Sequence, residues 1–256
     1  MSLPEPDFAE FSNPRLAAIY DALCPWGEAE DEFLRLAKAL DPRTIIDFGC
    51  GTGNLALALA AHGFEVTGIE PAVPMLELAR AKPGAGRVTW ILGRTPELRE
   101  RRADLILMTN HVAQFFGSDL AWRDLLEACA TALHPGGTLI FDFRPRTDPP
   151  FPAWPRQESD APLESTPLGP VAWWVTLPPH SGPHVRYRLH YRFHQTGEEL
   201  ISVNELTFRT PEEIKEALRT AGLDPGESLG ETKTPDSGAP KRKSIYLARK
   251  TAHPNT

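Results

Sequence analysis

Cysteine is scarce in this chain, with Cys24, Cys50 and Cys129 the only three among 256 residues. An odd number in dissimilar contexts, with no Cys-x-x-Cys spacing, speaks against a disulfide framework and a thiolate zinc site and fits a reducing, cytoplasmic compartment. Long apolar runs are missing too. None approaches the roughly 20 residues that a bilayer-spanning helix needs, so no membrane partner is expected. The start, Met1 to Glu10, is acidic and proline-bearing rather than basic and then apolar, unlike an export signal. Nor is there a basic excess: 27 Lys and Arg stand against 34 Asp and Glu, a formal net charge of -7. A nucleic-acid partner is therefore disfavoured, because neutralising phosphates drives most of that affinity. Clustered His and carboxylate ligands are also lacking, and no metal is expected. Proline, by contrast, is abundant at 26 residues, and its crowding between Pro145 and Pro183 reads as loop.

What is present is a rhythm of strands and helices. Two helical stripes, Leu16, Ile19, Tyr20 and Leu23, then Phe33, Leu34, Ala37 and Leu40, precede the first strand. Strands are expected at Thr44 to Phe48, Glu65 to Ile69, Arg87 to Leu92, Asp104 to Met108 and Thr138 to Phe143. Helices running to Ala61, from Val73 to Ala81 and from Trp122 to Leu133 fall among them. His134-Pro135-Gly136-Gly137 reads as the turn before the fifth strand. Such alternation predicts a doubly wound α/β fold with a mostly parallel, seven-stranded sheet and right-handed crossovers. Val171 to Leu177, Val185 to His194 and Leu200 to Phe208 then follow with no helix between them, which predicts an antiparallel β insertion after the fifth strand. Thr210-Pro211-Glu212-Glu213 opens a helix that Gly222 closes. Ser244 to Ala248 is the last strand, and Gly230 to Lys243 is polar enough for a mobile loop. The expectation is one domain over 1–256: N-terminal helices (1–43), a cofactor-binding core (44–144), an insertion or lid (145–209), and a closing helix and strands (210–256).

A glycine loop between a strand and a helix lets the backbone approach a ligand closely, and the helix amino end attracts negative charge. Gly49, Gly51 and Gly53 form such a loop. Glu70 ends the second strand 23 residues after Asp47, where an acid can accept hydrogen bonds from both ribose hydroxyls. A nucleoside site follows. Asn110 and His111 follow the fourth strand, at the sheet edge where ligands of open parallel sheets sit.

The segment Asp47-Phe48-Gly49-Cys50-Gly51-Thr52-Gly53-Asn54-Leu55 resembles motif I of the class I S-adenosylmethionine-dependent methyltransferases. The resemblance extends to Gly68-Ile69-Glu70-Pro71 with Met75-Leu76, to Asp104 through Asn110, and to Leu133 through Leu139. It implies the Rossmann-like methyltransferase fold, S-adenosyl-L-methionine as cofactor, and in-line methyl transfer to a small-molecule acceptor. It further implies that Gly49, Gly51 and Gly53 line the methionine part, Asp47 holds its amino group, Glu70 grips the ribose beside Pro71, and Met75 packs near the adenine. Gly93-Arg94-Thr95 would border the adenine edge. Many family members carry an aspartate where this chain has Arg94, and arginine cannot accept a hydrogen bond. Tyr20 matches the tyrosine of the family's entry helix, with Trp26 able to stack nearby, and Asn110 completes the cofactor set.

Each residue also has a plainer reading. Cys50 reads as a spacer between glycines. His111 is a general base or a histidine that merely hydrogen-bonds a loop. Phe115 and Phe116 read as core, as does Trp90. Along His184 to His194 the apolar face of Val185, Tyr187, Leu189, Tyr191 and Phe193 opposes Arg186, Arg188, His190, Arg192 and His194, a solvated face paired with acids or an anion-binding wall. Trp173 and Trp174 cannot share a face, and one of them could line an acceptor pocket. Three other functions compete. A nicotinamide-dependent oxidoreductase would need glycine where Asn54 stands, a nucleic-acid base methyltransferase would favour a different motif at Asn110-His111-Val112-Ala113, and a non-catalytic S-adenosylmethionine-binding protein would keep the loop without the chemistry.

Overall fold

The computed structural model describes residues 4–144, 163–179, 181–226, 229–234 and 241–251. Three helices lead the chain: α1 (Ala9–Ser12), α2 (Pro14–Leu23) and α3 (Glu28–Leu40). Asn13 starts α2 by accepting from the Arg15 backbone N–H, and Pro14 takes the first helical position, where no donor is missed. Strand and helix then alternate through β1 (Thr44–Phe48), α4 (Asn54–Ala61), β2 (Glu65–Glu70), α5 (Val73–Ala81), β3 (Val88–Leu92), α6 (Thr95–Arg99), β4 (Ala103–Met108), α7 (Asp119–Ala132) and β5 (Leu133–Phe143). A 3-10 turn, Val112–Phe115, joins β4 to α7.

The central strands are largely apolar because both faces of the sheet are covered. On one face Ile46, Phe48, Ile106, Met108, Leu139 and Phe141 pack against α7. On the other, Ile45, Val66, Leu105, Leu107 and Ile140 meet α3 and α4. β3 is the edge strand. Its side chains are consequently less buried than expected: Trp90 is half-buried and Leu92 is 49% exposed.

The closing elements are α8 (Pro211–Thr220), β10 (Leu223–Pro225), β11 (Leu229–Thr234) and β12 (Lys241–Lys250). The sheet order is β10-β12-β5-β4-β1-β2-β3, with β12 antiparallel to β5 and the strands from β5 to β3 mutually parallel. β10 and β11 both pair with β12, against Ala248–Lys250 and Lys241–Ile245 respectively, and so share one edge of it. The sheet is therefore seven positions wide. β11 and the start of β12 correct the expectation of a polar loop over Gly230 to Lys243. Thr232 pairs with Lys243 and Lys233 with Arg242 in an antiparallel ladder. Residues 235–240 lie outside the described set. His134 to Gly137 fall within β5 rather than in a separate turn, and a break in register lets Ala103 pair with Leu133 while Leu105 pairs with Thr138.

The insertion forms its own antiparallel sheet, β6-β7-β8-β9, from β6 (Leu163–Thr166), β7 (Gly169–Thr176), β8 (His184–Phe193) and β9 (Glu199–Thr207). Its inner face, with Val171, Tyr191 and Phe193, packs on Leu16 and Ile19 of α2. The outer face is laced with acids: Arg186 pairs with Glu205 at 2.9 Å, and His190 and Arg192 both meet Glu199 at 3.1 Å. Trp174 stacks on His190 on that outer side, with centroids 4.8 Å apart, so Trp173 faces inward.

Candidate cofactor and acceptor site

The strand order reverses between β1 and β4, and the loops leaving these strands diverge to opposite sides of the sheet, which opens a crevice at their carboxyl ends. Gly49, Gly51 and Gly53 all have positive φ in the loop after β1. Gly49 and Cys50 donate to the Ile69 carbonyl, which ties the loop to β2. A side chain at Gly49 would lie 2.5 Å from Val112, so the β1 and β4 loops touch here and need glycine. Cys50 is buried against Gly68, as a spacer would be.

Glu70 closes the other wall of the crevice. One carboxylate oxygen accepts from the Gly51 N–H and the other from Ala72 N–H, both at 2.9 Å, so the side chain is held across the glycine loop. Burial raises its pKa, opposed by those two amides and by Arg94. Asp47, the next-to-last residue of β1, is 1% exposed, and neither carboxylate oxygen has a hydrogen-bond partner among the described residues. Burial, reinforced by the charge of Glu70, pushes its pKa up to about 7.

The remaining predicted residues gather around this frame. Gly93 donates its N–H to the Glu70 carbonyl, and a side chain there would strike Glu97. Arg94 is exposed with its backbone capped by Glu97, while Thr95 is buried. Pro71, Val73 and Leu92 are exposed beside Glu70. Met75 is 1% exposed, and its methyl group supports Gly51 from below. Tyr20 is half-buried on α2, and burial together with the neighbouring acids Glu10, Glu70 and Glu30 and with Cys24 holds its hydroxyl well above the usual range.

Asn110 and His111 both adopt left-handed backbone, at φ 53 and 68. This is uncommon for a non-glycine residue and rarer still for two in a row. Asn110 donates to Glu30 on α3 at 2.8 Å. His111 is held by Asp142 of β5, whose Oδ1 accepts from the His111 backbone N–H at 3.0 Å while Oδ2 lies 3.0 Å from Nδ1. Trp26, 39% exposed, donates to Asp31. Phe115 and Phe116 are partly buried, Phe116 against Phe48.

Three supports were missed from the sequence. Asp142 sits in an apolar strand, 31 residues beyond His111. Asp21 and Lys82 form an ion pair at 2.6 Å. Thr52 and Asn54 donate to Asp21, and Lys82 donates to Asn54, so α2 is latched onto the glycine loop. The third is Glu10 of α1, whose carboxylate accepts from the Tyr191 hydroxyl. Only the adjacency of Asp21 to Tyr20 hinted at any of these.

Comparison with known proteins agrees with this geometry. Residues 45–137 match the model of a methyltransferase domain family. The cypemycin N-terminal methyltransferase of a Streptomyces species is 30% identical over 189 residues, 73% of this chain and 75% of that one. Other curated relatives are matched over less, 28% of one Geobacillus methyltransferase and 46% of another, so the chain spans only part of their length. Among solved structures, an S-adenosylmethionine-dependent methyltransferase from Clostridium acetobutylicum superposes with a TM-score of 0.73 at 16% identity, over 93% of this chain and 98% of that one. An amino pentose methyltransferase from Micromonospora echinaspora, solved with S-adenosylmethionine bound, gives 0.66 at 24% identity over 91% and 94%. The fold and the crevice define a nucleotide-cofactor enzyme of the Rossmann-like type. The chain belongs to the class I S-adenosylmethionine-dependent methyltransferases.

The residues present fit that cofactor. An orphaned buried carboxylate at Asp47 asks for a cationic or N–H partner, and Glu70 stands within reach of the same loop. Among the described residues no group of three or more His, Cys, Asp and Glu could hold a metal ion, and no helix is long and apolar enough to cross a membrane.

Proposed function

We propose that the protein methylates a small organic molecule through an amine or hydroxyl group presented at the carboxyl ends of β1 and β4, with His111 as the base that receives the acceptor's proton. The observation that carries this is the double hold of Asp142 on His111. A histidine with Nδ1 turned to a carboxylate keeps Nε2 as its basic nitrogen, and imidazole exchanges protons near neutral pH.

When bound, S-adenosylmethionine supplies a methyl group on a sulfonium, so good a leaving group that in-line orientation accounts for most of the rate. Asp47 would take the amino group, Glu70 the ribose hydroxyls, and Gly49, Gly51 and Gly53 would admit the methionine part with no side chain in the way. Pro71, Met75, Gly93, Arg94 and Thr95 would flank the adenine, with Thr95 and main chain in place of the acceptor that Arg94 cannot provide. Tyr20 and Asn110 would close the cofactor from above, and the insertion sheet would shape the acceptor side. Support comes from a relative named as a cypemycin N-terminal methyltransferase and from a structural neighbour named as an amino pentose methyltransferase.

The test is turnover with a panel of small amines and alcohols, read as release of S-adenosylhomocysteine and confirmed by mass spectrometry. Transfer to one acceptor class, lost in His111→Asn with cofactor affinity intact, is the expected result. Transfer that survives the substitution at full rate would remove His111 from the mechanism.

A further inference from the structure

Between the inner face of the insertion sheet and α1 lies a polar cluster that cofactor binding does not use. Glu10 of α1 is its centre. Its backbone N–H donates to Ser202 Oγ at 3.0 Å, and its carboxylate accepts from the Tyr191 hydroxyl at 3.4 Å. Ser202 in turn donates to Asn204 Oδ1 at 3.3 Å. Tyr191 lies directly across from Trp173 in the β7–β8 ladder, and Asn204 across from Tyr187 in the β8–β9 ladder, so these side chains share one face.

Two features of the cluster point to a ligand site. First, among the described residues no Lys, Arg or His pairs with Glu10; burial pushes its pKa up to about 7, only partly offset by Tyr191. Such a carboxylate lacks its counter-charge. Second, Asn204 Nδ2 and Trp173 Nε1 are buried and find no hydrogen-bond partner among the described residues, and Asn204 is wholly inaccessible. Buried donors without acceptors are rare and costly.

The cluster also connects to the transfer point. Phe11, next to Glu10, lies 5.9 Å from the Tyr20 ring and 5.7 Å from Phe115, ring centre to ring centre, and Phe8 meets Phe115 at 5.6 Å. Phe115 ends the 3-10 turn that begins immediately after His111. Tyr20 feels the charges of both Glu10 and Glu70. An aromatic strip therefore runs from the His111 turn to Glu10, with Tyr20 between acceptor and cofactor sides.

We infer that this face recognises the acceptor as a cationic amine: Glu10 receives its ammonium group, while Asn204 and Trp173 donate to its oxygen atoms. The inference rests on the methyl-transfer reading above and narrows the acceptor to a polar amine such as an amino sugar or an amino-acid derivative. Glu10 is a recognition residue: the ammonium nitrogen has no lone pair, so one of its protons passes to His111 first, and the free amine then forms the N–C bond as the C–S bond of the sulfonium breaks and S-adenosylhomocysteine leaves.

The experiment uses the full chain saturated with S-adenosylhomocysteine and titrates it with matched pairs: glucosamine with glucose, a methyl 3-amino-3-deoxypentoside with its 3-hydroxy counterpart, and cyclohexylamine with cyclohexanol. Intrinsic fluorescence and calorimetry give the affinities, and both are repeated on Glu10→Gln and Tyr191→Phe. At least one amine is expected to bind tenfold or more tightly than its alcohol, with that preference abolished in Glu10→Gln and only weakened in Tyr191→Phe. Unchanged affinity for S-adenosylhomocysteine shows that the variants remain folded. Absence of amine binding, equal binding of amine and alcohol, or a preference that survives Glu10→Gln would overturn the inference. Failure of the wild-type chain to bind S-adenosylhomocysteine would instead overturn the reading beneath it.

Discussion

Asp142 holds His111 at two points, its backbone N–H and its ring, across the carboxyl ends of adjacent strands β4 and β5. Because the turn places His111 at φ 68, asparagine is the substitution that removes the imidazole with least backbone strain. His111→Asn should lower kcat by about 10²-fold or more, the contribution typical of a positioned base. Asp142→Asn should also lower kcat, since an amide lacks the negative charge that faces the ring at 3.0 Å. Steady-state kinetics beside calorimetry checks both, and affinity for S-adenosylhomocysteine should not change.

Gly51 and Gly53 should respond differently to alanine although both have positive φ. At Gly53 a methyl group would come within 2.5 Å of Trp90, whose indole is anchored by a hydrogen bond to Ala85. At Gly51 the nearest atom is the Met75 methyl at 3.5 Å, an ordinary contact. Gly53→Ala should therefore cost about 2 kcal/mol or more through strain and overpacking, while Gly51→Ala should cost about 1 kcal/mol in stability and act mainly on cofactor affinity. Chemical denaturation paired with titration separates the two effects.

The fold was legible because its signals are local. A strand, a glycine loop, a helix and an acid at the end of the next strand lie within Thr44 to Glu70, and the alternation from there to Phe143 leaves few topologies open. The hidden elements were short or polar: β6, β10 and β11 have three to six residues each and depend on ladder partners rather than on an apolar period. In the site, the glycines, Asp47 and Glu70 could be seen because the loop demands them. Asp142 could not, since it occupies one position in the apolar run Leu139 to Phe143 and only the β4–β5 pairing brings it to His111. Glu10 was hidden for the same reason, as Tyr191 of β8 and Ser202 of β9, 181 and 192 residues away, supply its contacts.

Stability without cofactor should fall as pH rises from about 4 to 7. Asp47 has a folded pKa near 7, above the 3.8 of the unfolded chain, so the native state holds the proton more tightly within that window. This favourable contribution is complete below about pH 4 and lost once pH passes about 7. Glu10, raised from 4.5 to about 7, adds a slope of the same sign. Asp47→Asn should flatten the Tm profile and raise stability at pH 8 by the order of a few kcal/mol, while weakening S-adenosylmethionine binding. Melting curves from pH 4 to 8 on both proteins check the prediction.

Arg186 offers a negative control. It is paired across the outer face with half-buried Glu205 and reaches exposed Glu5, single ion pairs at the solvent-facing side of the sheet that contribute little. Arg186→Ala should change stability by about 1 kcal/mol or less and leave turnover untouched. Loss of acceptor affinity in that variant would revive the anion-binding reading of this face.

The most direct test of the account is calorimetric titration of the protein with S-adenosylmethionine, S-adenosylhomocysteine and NAD, repeated on Glu70→Ala and Asp47→Asn. The account predicts binding of the first two ligands, none of NAD, and at least tenfold weaker binding in each variant. Binding of NAD alone, or affinity unchanged in both variants, would contradict it.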